Sequence, residues 1–488
     1  MYFANGIIAG GAIHASDNRT FDRHDFVSGA VVTRACAMSV SDAEAAADDA
    51  ARAFPKWSSR PAHERATILS ACAVQLESCI TDLVSIAAKE VGAAESWVRF
   101  NIDVAQNTLN HAASLASAIG EVSLTPLEGV LEGAPRHRLF RRPAGVVLGI
   151  APWNAAITLA VRAVAAPLAL GNTVVLKGSE LCPKTHETIV QALLEAGLPD
   201  GVLNFVLNAP DDAHDVVEAL IAHPSVRRVN FTGSTRVGRE VAILAAQYLK
   251  PCLLELSGKA SSIVLADADL TGAAKTLTHG AFFNQGQVCM STDRIIVEEA
   301  VADELVALLK CEAELLRSDS KAGIEPLGKI IGIEAVQRLR GLVDDALAKG
   351  AVLVTGGQID GIIIQPTILD HVGFGMRLYA EEIFGPLVGI VRVADQHEAV
   401  TIANDTEFGL AAAVFGQNLD RANLVASKIE AGAVHVNGST VFDDPDMPYG
   451  GVKSSGYGRF GGQAVIDEFT EMQWITEREY PVKEHTSH

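Results

Sequence analysis

Apolar and polar positions along the chain follow two rhythms. Up to about residue 120 they recur at helical spacing. A first helix is predicted from Ser41-Asp42-Ala43-Glu44, a capping box in which Ser41 caps and Glu44 reaches back. Its alanine-rich run is predicted to stop at Pro55. Helical spacing continues over 64–86 and 95–119. Around 127–142 the pattern breaks. Arg136, His137, Arg138, Arg141 and Arg142 crowd Leu139 and Phe140, which suits either a solvated loop or a strand arm reaching to a neighbour. From Ala144 the rhythm changes. Short apolar runs at 145–150, 172–177, 203–207 and 228–231 alternate with helical stretches at 158–169, 185–195, 213–222 and 235–247. This alternation predicts an α/β fold with a parallel, doubly wound sheet covered on both faces. Ligands in such sheets lie beyond the carboxyl ends of the strands, which puts Lys177 and the Thr232-Gly233-Ser234 turn where a nucleotide can sit. After Lys259 a second α/β pattern begins. Its strands are predicted at 263–265, 295–297, 352–355, 388–393 and 434–437, and its helices include 301–316 and 333–349. The polar tail, 483–488, is expected to fray.

Bulk properties narrow the classes. With 488 residues, 49% of them hydrophobic, the chain can fill several domain-sized cores of roughly 150 residues each. Its formal charge of −20 opposes phosphate backbones, so no nucleic acid partner is expected. The uncharged run 143–161 is long enough to test as a membrane span. It holds Pro143, Gly145, Gly149, Pro152 and Asn154, and reads instead as a buried strand, a turn and a helix start. No leader, lipidation signal or membrane association is expected. The seven cysteines are odd in number and form no CxxC pair. No disulfide framework or metal site is expected, and a reducing, cytoplasmic setting fits.

Four segments carry candidate chemistry. Cys289 closes Asn284-Gln285-Gly286-Gln287-Val288-Cys289, a glycine-containing polar turn ahead of a strand, where side chains are displayed into clefts. It is a nucleophile or a buried apolar filler. Glu255 interrupts the apolar run 251–256. A carboxylate there is costly unless it is partnered, with Lys259 as the obvious ion-pair partner, or serves as a general base with a raised pKa. Asn154, in Ala151-Pro152-Trp153-Asn154, ends a buried strand and either shapes a turn or donates to an oxyanion. Phe231-Thr232-Gly233-Ser234-Thr235 is a strand, a turn and a helix start. It suits an anion or is an ordinary βα turn.

Taken together and in order, these segments resemble the aldehyde dehydrogenase superfamily over about residues 20–475. The strings are APWN at 151–154, GNTVVLKGSE at 171–180, FTGST at 231–235, LELSGK at 254–259, GQVC at 286–289, EEIFGP at 381–386 and PYGGVKSSGYGR at 448–459. The resemblance implies a Rossmann-type NAD-binding domain (1–121 and 144–255), an α/β catalytic domain (256–471) and a small β oligomerisation arm and tail (122–143 and 472–488). It implies Cys289 as the nucleophile that forms a thiohemiacetal and then a thioester. Asn154 and the Cys289 backbone N–H would hold the oxyanion, and Glu255 would activate the hydrolytic water. For the cofactor it implies contacts from Trp153, Lys177, Glu180, Gly233, Ser234, Glu382 and Phe384. Glu180 would favour NAD over NADP, because a carboxylate accepts from a 2′-hydroxyl and repels a 2′-phosphate. A homodimer or homotetramer is implied through 127–142 and 472–482.

Departures from the family pattern bear on the substrate. Many relatives carry Phe where this chain has Ala155, Trp-Lys where it has Arg162-Ala163, Glu where it has Phe460, and Gly where it has Ser257. Loss of the Lys and the Glu together suggests removal of a buried ion pair as a unit. Ala155 empties a ring's volume beside the nucleophile, and Arg162 adds a fork of donors or pairs with an internal carboxylate. Phe283, Phe442 and Tyr449 map onto pocket-lining positions, while the register of Trp97 and Phe100 stays open. The local strings are most similar to the vanillin, salicylaldehyde and benzaldehyde dehydrogenase branch. They imply a hydroxylated or methoxylated aromatic aldehyde as substrate. An aliphatic or semialdehyde substrate, a CoA-acylating relative and a catalytically silent scaffold are the competing readings. Glu255 argues against the second, and the intact Asn154, Glu255 and Cys289 against the third.

Overall fold

A computed structural model describes residues 1–122, 136–316 and 328–477. Two sheets dominate it. The first has eight strands in the order Gly456–Tyr457, Cys252–Glu255, Val226–Thr232, Val146–Ile150, Thr173–Lys177, Leu203–Val206, Gly6–Ile8 and Gly11–Ile13. Its five central strands are parallel. Val146–Ile150, Thr173–Lys177 and Leu203–Val206 are buried along their whole length, which is why they read as largely apolar runs. Strand order reverses at Val146–Ile150. Thr173–Lys177 packs on one side of it and Val226–Thr232 on the other, so a crevice opens beyond their carboxyl ends. Trp153-Asn154 and Thr232-Gly233-Ser234 emerge at that crevice.

The second sheet runs Val352–Thr355, Thr367–Asp370, Leu387–Val393, Thr292–Glu298, Ala260–Val264, Ala411–Phe415 and Ala433–Val436. Only its edge strand Val352–Thr355 is antiparallel. Strands Thr367–Asp370 and Ala411–Phe415 are absent from the sequence reading. The second is Ala-Ala-Ala-Val-Phe, and alanine carries no strand signal even where the backbone is fully buried.

Two helix ends differ from expectation. The first helix is capped by Ser39 rather than Ser41. Ser39 Oγ accepts from Asp42 N, and the Asp42 carboxylate accepts from Ser39 N at 2.8 Å. The helix also runs through Pro55 to Ser58. Trp57 holds that last turn in place: it is 1% exposed and its indole donates to the Leu168 carbonyl at 3.1 Å. The stretch 64–86 is two helices, Ala62–Ser78 and Ile80–Glu90, bent by 66°. The bend brings Leu83 into the same core as Leu69 and Leu76. Among the described residues no single helix is long and apolar enough to cross a membrane.

The arginine-rich segment is a strand, not a loop. Arg136–Pro143 pairs antiparallel with Thr470–Glu477 on one side and Gly120–Val122 on the other. The remainder of the expected arm and tail, at 127–135 and 478–488, lies outside the described residues.

Candidate active site

The loop carrying Cys289 is held in an uncommon backbone conformation. Asn284, Gln285 and Gly286 all have positive φ, at 49°, 56° and 66°. Two of the three are not glycine, so the surroundings must enforce the turn. A Cβ on Gly286 would meet the Gly385 carbonyl at 2.2 Å, so only glycine fits there. The Gln287 side chain ties the loop to Ile331 N at 3.0 Å and to the Lys329 carbonyl at 3.3 Å. Asn154 closes it from the first sheet: its Nδ2 donates to the Gln287 carbonyl at 3.0 Å. The Asn154 carbonyl in turn accepts from the Trp97 indole at 2.8 Å and from Asn284 Nδ2 at 3.3 Å.

Glu255 ends the strand Cys252–Glu255, and three residues later the chain touches the Cys289 loop. A Cβ on Gly258 would lie 2.3 Å from the Cys289 carbonyl. Glu255 is 1% exposed, and neither carboxylate oxygen has a hydrogen-bond partner among the described residues. Burial pushes its carboxyl up to about 7, while the facing Cys289 thiol, Arg162 guanidinium and Tyr449 hydroxyl pull it back. Lys259 is not its partner. That ammonium pairs with Asp293 at 3.3 Å and donates to the Glu381 carbonyl at 2.6 Å. The Cys289 thiol is pushed well up, by loss of surrounding water first and by the Glu255 charge second. Its sulfur lies 3.6 Å from the Tyr449 hydroxyl.

Arg162 lies on the helix Ala156–Ala169, directed at this group. Its guanidinium forms a buried ion pair with Asp443 and sits 4.8 Å from the centre of the Tyr449 ring. Of the two readings open for Arg162, the internal carboxylate is the one found. Asp443 itself escaped the sequence reading. The Phe460 ring packs on the same guanidinium at 5.8 Å, and the Phe460 and Tyr449 backbones exchange hydrogen bonds of 2.7 and 2.8 Å. The positions that lost Lys and Glu are thus filled by the buried Ala163 and Phe460, beside a different ion pair.

Aromatic rings pack in one apolar cluster with Cys289. Trp97 and Phe100 stack at 5.5 Å, and Phe283 meets them edge-on at 5.0 and 5.4 Å. Ala155, Phe283, Cys289 and Tyr449 belong to the same apolar cluster. The register of the helix Glu95–Leu115 therefore turns Trp97 and Phe100 into the cluster that holds Cys289. Phe442 stands apart: it is 54% exposed and its ring contact is with His435.

On the other side of Trp153 lies a cavity of about 560 Å³, lined by Trp153, Lys177, Glu180, Gly233 and Ser234 among others. Lys177 and Glu180 are ion-paired. Ser234 caps the helix Thr235–Gln247, accepting from Val237 N at 3.4 Å, so the positive end of that helix faces the cavity. Glu382 and Phe384 approach from the second sheet. The Phe384 ring meets Trp153 edge-on at 5.8 Å, and Glu382 Oε1 accepts from Gly258 N at 3.1 Å. Burial pushes the Glu382 carboxyl to about 7, and the Ser257 hydroxyl beside it lowers it. Ser257, one of the departures, therefore sits against Glu382.

A family model described as "Aldehyde dehydrogenase family" matches residues 13–475. Vanillin dehydrogenase of Pseudomonas fluorescens is 49% identical, over 98% of this chain and 99% of its own. Salicylaldehyde dehydrogenase of Pseudomonas putida is 46% identical, over 96% and 98%. The crystal structure of a salicylaldehyde dehydrogenase from Pseudomonas putida G7, complexed with salicylaldehyde, superposes with a TM-score of 0.94 at 43% identity. It covers 99% of this chain and 100% of that one.

Proposed function

This chain belongs to the aldehyde dehydrogenase family, oxidoreductases that use a nicotinamide cofactor, and on that premise we propose that it oxidises a hydroxylated or methoxylated aromatic aldehyde to the acid with NAD. The observation that carries the reading is the ring wall of Trp97, Phe100 and Phe283 in one cluster with Cys289 and Ala155. A flat ring fits between such walls with its carbonyl at the sulfur. The similar vanillin and salicylaldehyde dehydrogenases support the same substrate class.

The chemistry follows from the residues. Glu255 takes the thiol proton of Cys289, leaving a thiolate to attack the carbonyl carbon. Asn154 spends one amide proton on the Gln287 carbonyl, and its second, with the Cys289 N–H, is free for the oxyanion. The nicotinamide cofactor, when bound, accepts the hydride. Cys289 then carries a thioester. Glu255 first releases the thiol proton to solvent, then takes a proton from the water that attacks the thioester carbonyl, and the Cys289 thiolate leaves as the acid forms. Tyr449, beside the sulfur, holds the thiolate; Arg162 acts through Tyr449 and Asp443.

The cavity residues fit a dinucleotide. A helix N-terminus at Ser234 suits the pyrophosphate, and the Glu180 carboxylate suits a ribose diol. Trp153 and Phe384, with Glu382, suit the nicotinamide end. We assign 1–121 and 144–255 to cofactor binding, 256–471 to catalysis, and 122–143 with 472–488 to assembly. A homodimer or homotetramer is supported by the exposed Met472 and Trp474 on the arm sheet. A cytoplasmic site of action is supported by seven cysteines that are all free. Steady-state kinetics test the reading. Salicylaldehyde, vanillin or benzaldehyde should give higher kcat/KM than acetaldehyde and hexanal, with NAD above NADP. Higher values for the aliphatic aldehydes would overturn the substrate class, and no turnover of any aldehyde would overturn the activity.

A further inference from the structure

Asn208 follows the strand Leu203–Val206, which lies beside the strand ending at Lys177. Its side chain has no solvent exposure. Its Nδ2 donates to Glu180 Oε1 at 3.0 Å and to the Ala209 carbonyl at 2.8 Å. Its Oδ1 is buried with no hydrogen-bond partner among the described residues. An unpaired buried acceptor is destabilising, so stability alone is a poor reason to keep an amide there. The amide does hold one thing: the carboxylate that faces the adenosine end of the cavity.

The geometry of that hold is specific. Lys177 and Asn208 both bind Oε1 of Glu180. Two donors on one oxygen pin the carboxylate and leave Oε2 for the vicinal hydroxyls of a ribose. The other basic side chains lining the cavity are engaged at the surface, Arg236 with Glu240 at 3.0 Å and His214 with Glu218 at 3.6 Å. A 2′-phosphate entering here would meet a fixed negative charge, and the one buried cation beside it, Lys177, is already spent on that charge. To admit the phosphate, Glu180 would have to swing away and release Lys177. Asn208 opposes that swing.

We propose that Asn208 is a specificity-determining residue that clamps Glu180 in place, so that the cavity takes a dinucleotide with a free 2′-hydroxyl and refuses one with a 2′-phosphate. This rests on the reading of the cavity as an NAD site.

Calorimetric titration of the full-length protein with NAD and with NADP, in the absence of aldehyde, tests it. The wild type should bind NAD more tightly. In Asn208→Ala and Asn208→Ser the ratio of Kd for NADP to Kd for NAD should fall about tenfold, the value of one charge-assisted hydrogen bond. Thermal unfolding of both variants, followed in parallel, should show a folded protein at the titration temperature. In a Glu180→Gln background, adding Asn208→Ala should leave the ratio where Glu180→Gln alone puts it, since the clamp then has no charge to hold. A ratio within twofold of wild type in both Asn208 variants would overturn the assignment of Asn208 and leave the NAD reading standing. So would an equal effect of Asn208→Ala in the two backgrounds. A wild type that binds NADP as tightly as NAD would overturn both.

Discussion

The Tyr449 hydroxyl lies 3.6 Å from the Cys289 sulfur, with its ring against the Arg162 guanidinium. A thiol pushed up by burial and by a facing carboxylate needs a donor to hold its anion, and the phenol is placed to be one. Tyr449→Phe keeps the ring and removes the donor. Loss of one hydrogen bond to a charged group should slow alkylation of Cys289 by iodoacetamide at neutral pH by about tenfold and move the pH midpoint of that reaction upward. An unchanged rate profile would show that the phenol only fills space.

Glu255 makes stability and activity depend on pH in linked ways. Its carboxyl is raised from the ordinary 4.5 to about 7 by burial. Below the lower value both folded and unfolded chains hold the proton, and the group costs nothing. As pH rises through that window the unfolded chain gains from ionising first. The full penalty, about 3 kcal/mol by the usual ~1.4 kcal/mol per pKa unit, stands above the folded value. Glu255→Gln should therefore raise the Tm in mildly alkaline buffer and leave it unchanged in acid. The rising limb of kcat/KM near neutrality should disappear with it. A Tm gain of the same size at both ends of the range would contradict the assignment.

Arg162 and Asp443 form a buried pair, so removing either partner strands a charge. Arg162→Ala and Asp443→Asn should each lower stability by about 3–5 kcal/mol, read as a shift in the urea midpoint at constant slope. Replacing both with apolar residues of similar volume should cost clearly less than the two single changes summed. Additive losses would mean that the two side chains do not depend on each other.

Ala155 packs in one cluster with Cys289, Trp97, Phe100 and Phe283, and its methyl leaves a ring's volume unfilled there. Ala155→Phe should fill it. The kcat/KM for salicylaldehyde should fall at least about tenfold relative to that for acetaldehyde, the scale on which overfilling a packed slot acts. An unchanged ratio would move the aromatic slot elsewhere.

The part of the molecule most legible in the sequence is the doubly wound core. There the helices Ala213–Ala222 and Thr235–Gln247 fall on the residues that the periodicity predicts, because their buried positions recur at helical spacing. Ala411–Phe415 is just as buried, yet alanine is at home in either kind of element and hides the strand. The cap at Ser39 was masked by a second serine two residues on. In the site, Cys289, Glu255 and Asn154 were visible because each sits in a short string at an element end. Asp443 was not: it lies 281 residues from Arg162, in an acidic run where nothing local marks one carboxylate as buried. Asn208 was missed for the same reason, since its significance is its distance to Glu180.

The account stands on Cys289, Asn154 and Glu255 acting on one carbonyl, with the thioester as the species between them. Glu255→Gln should form that thioester slowly, the thiol proton then leaving to solvent, and fail to hydrolyse it. The direct measurement is mass spectrometry of this variant after mixing with NAD and salicylaldehyde, followed by digestion. The account predicts an added salicyloyl mass on the peptide carrying Cys289, in step with one equivalent of reduced cofactor. Full turnover by the variant with Cys289 unmodified, or the adduct on another cysteine, would contradict it.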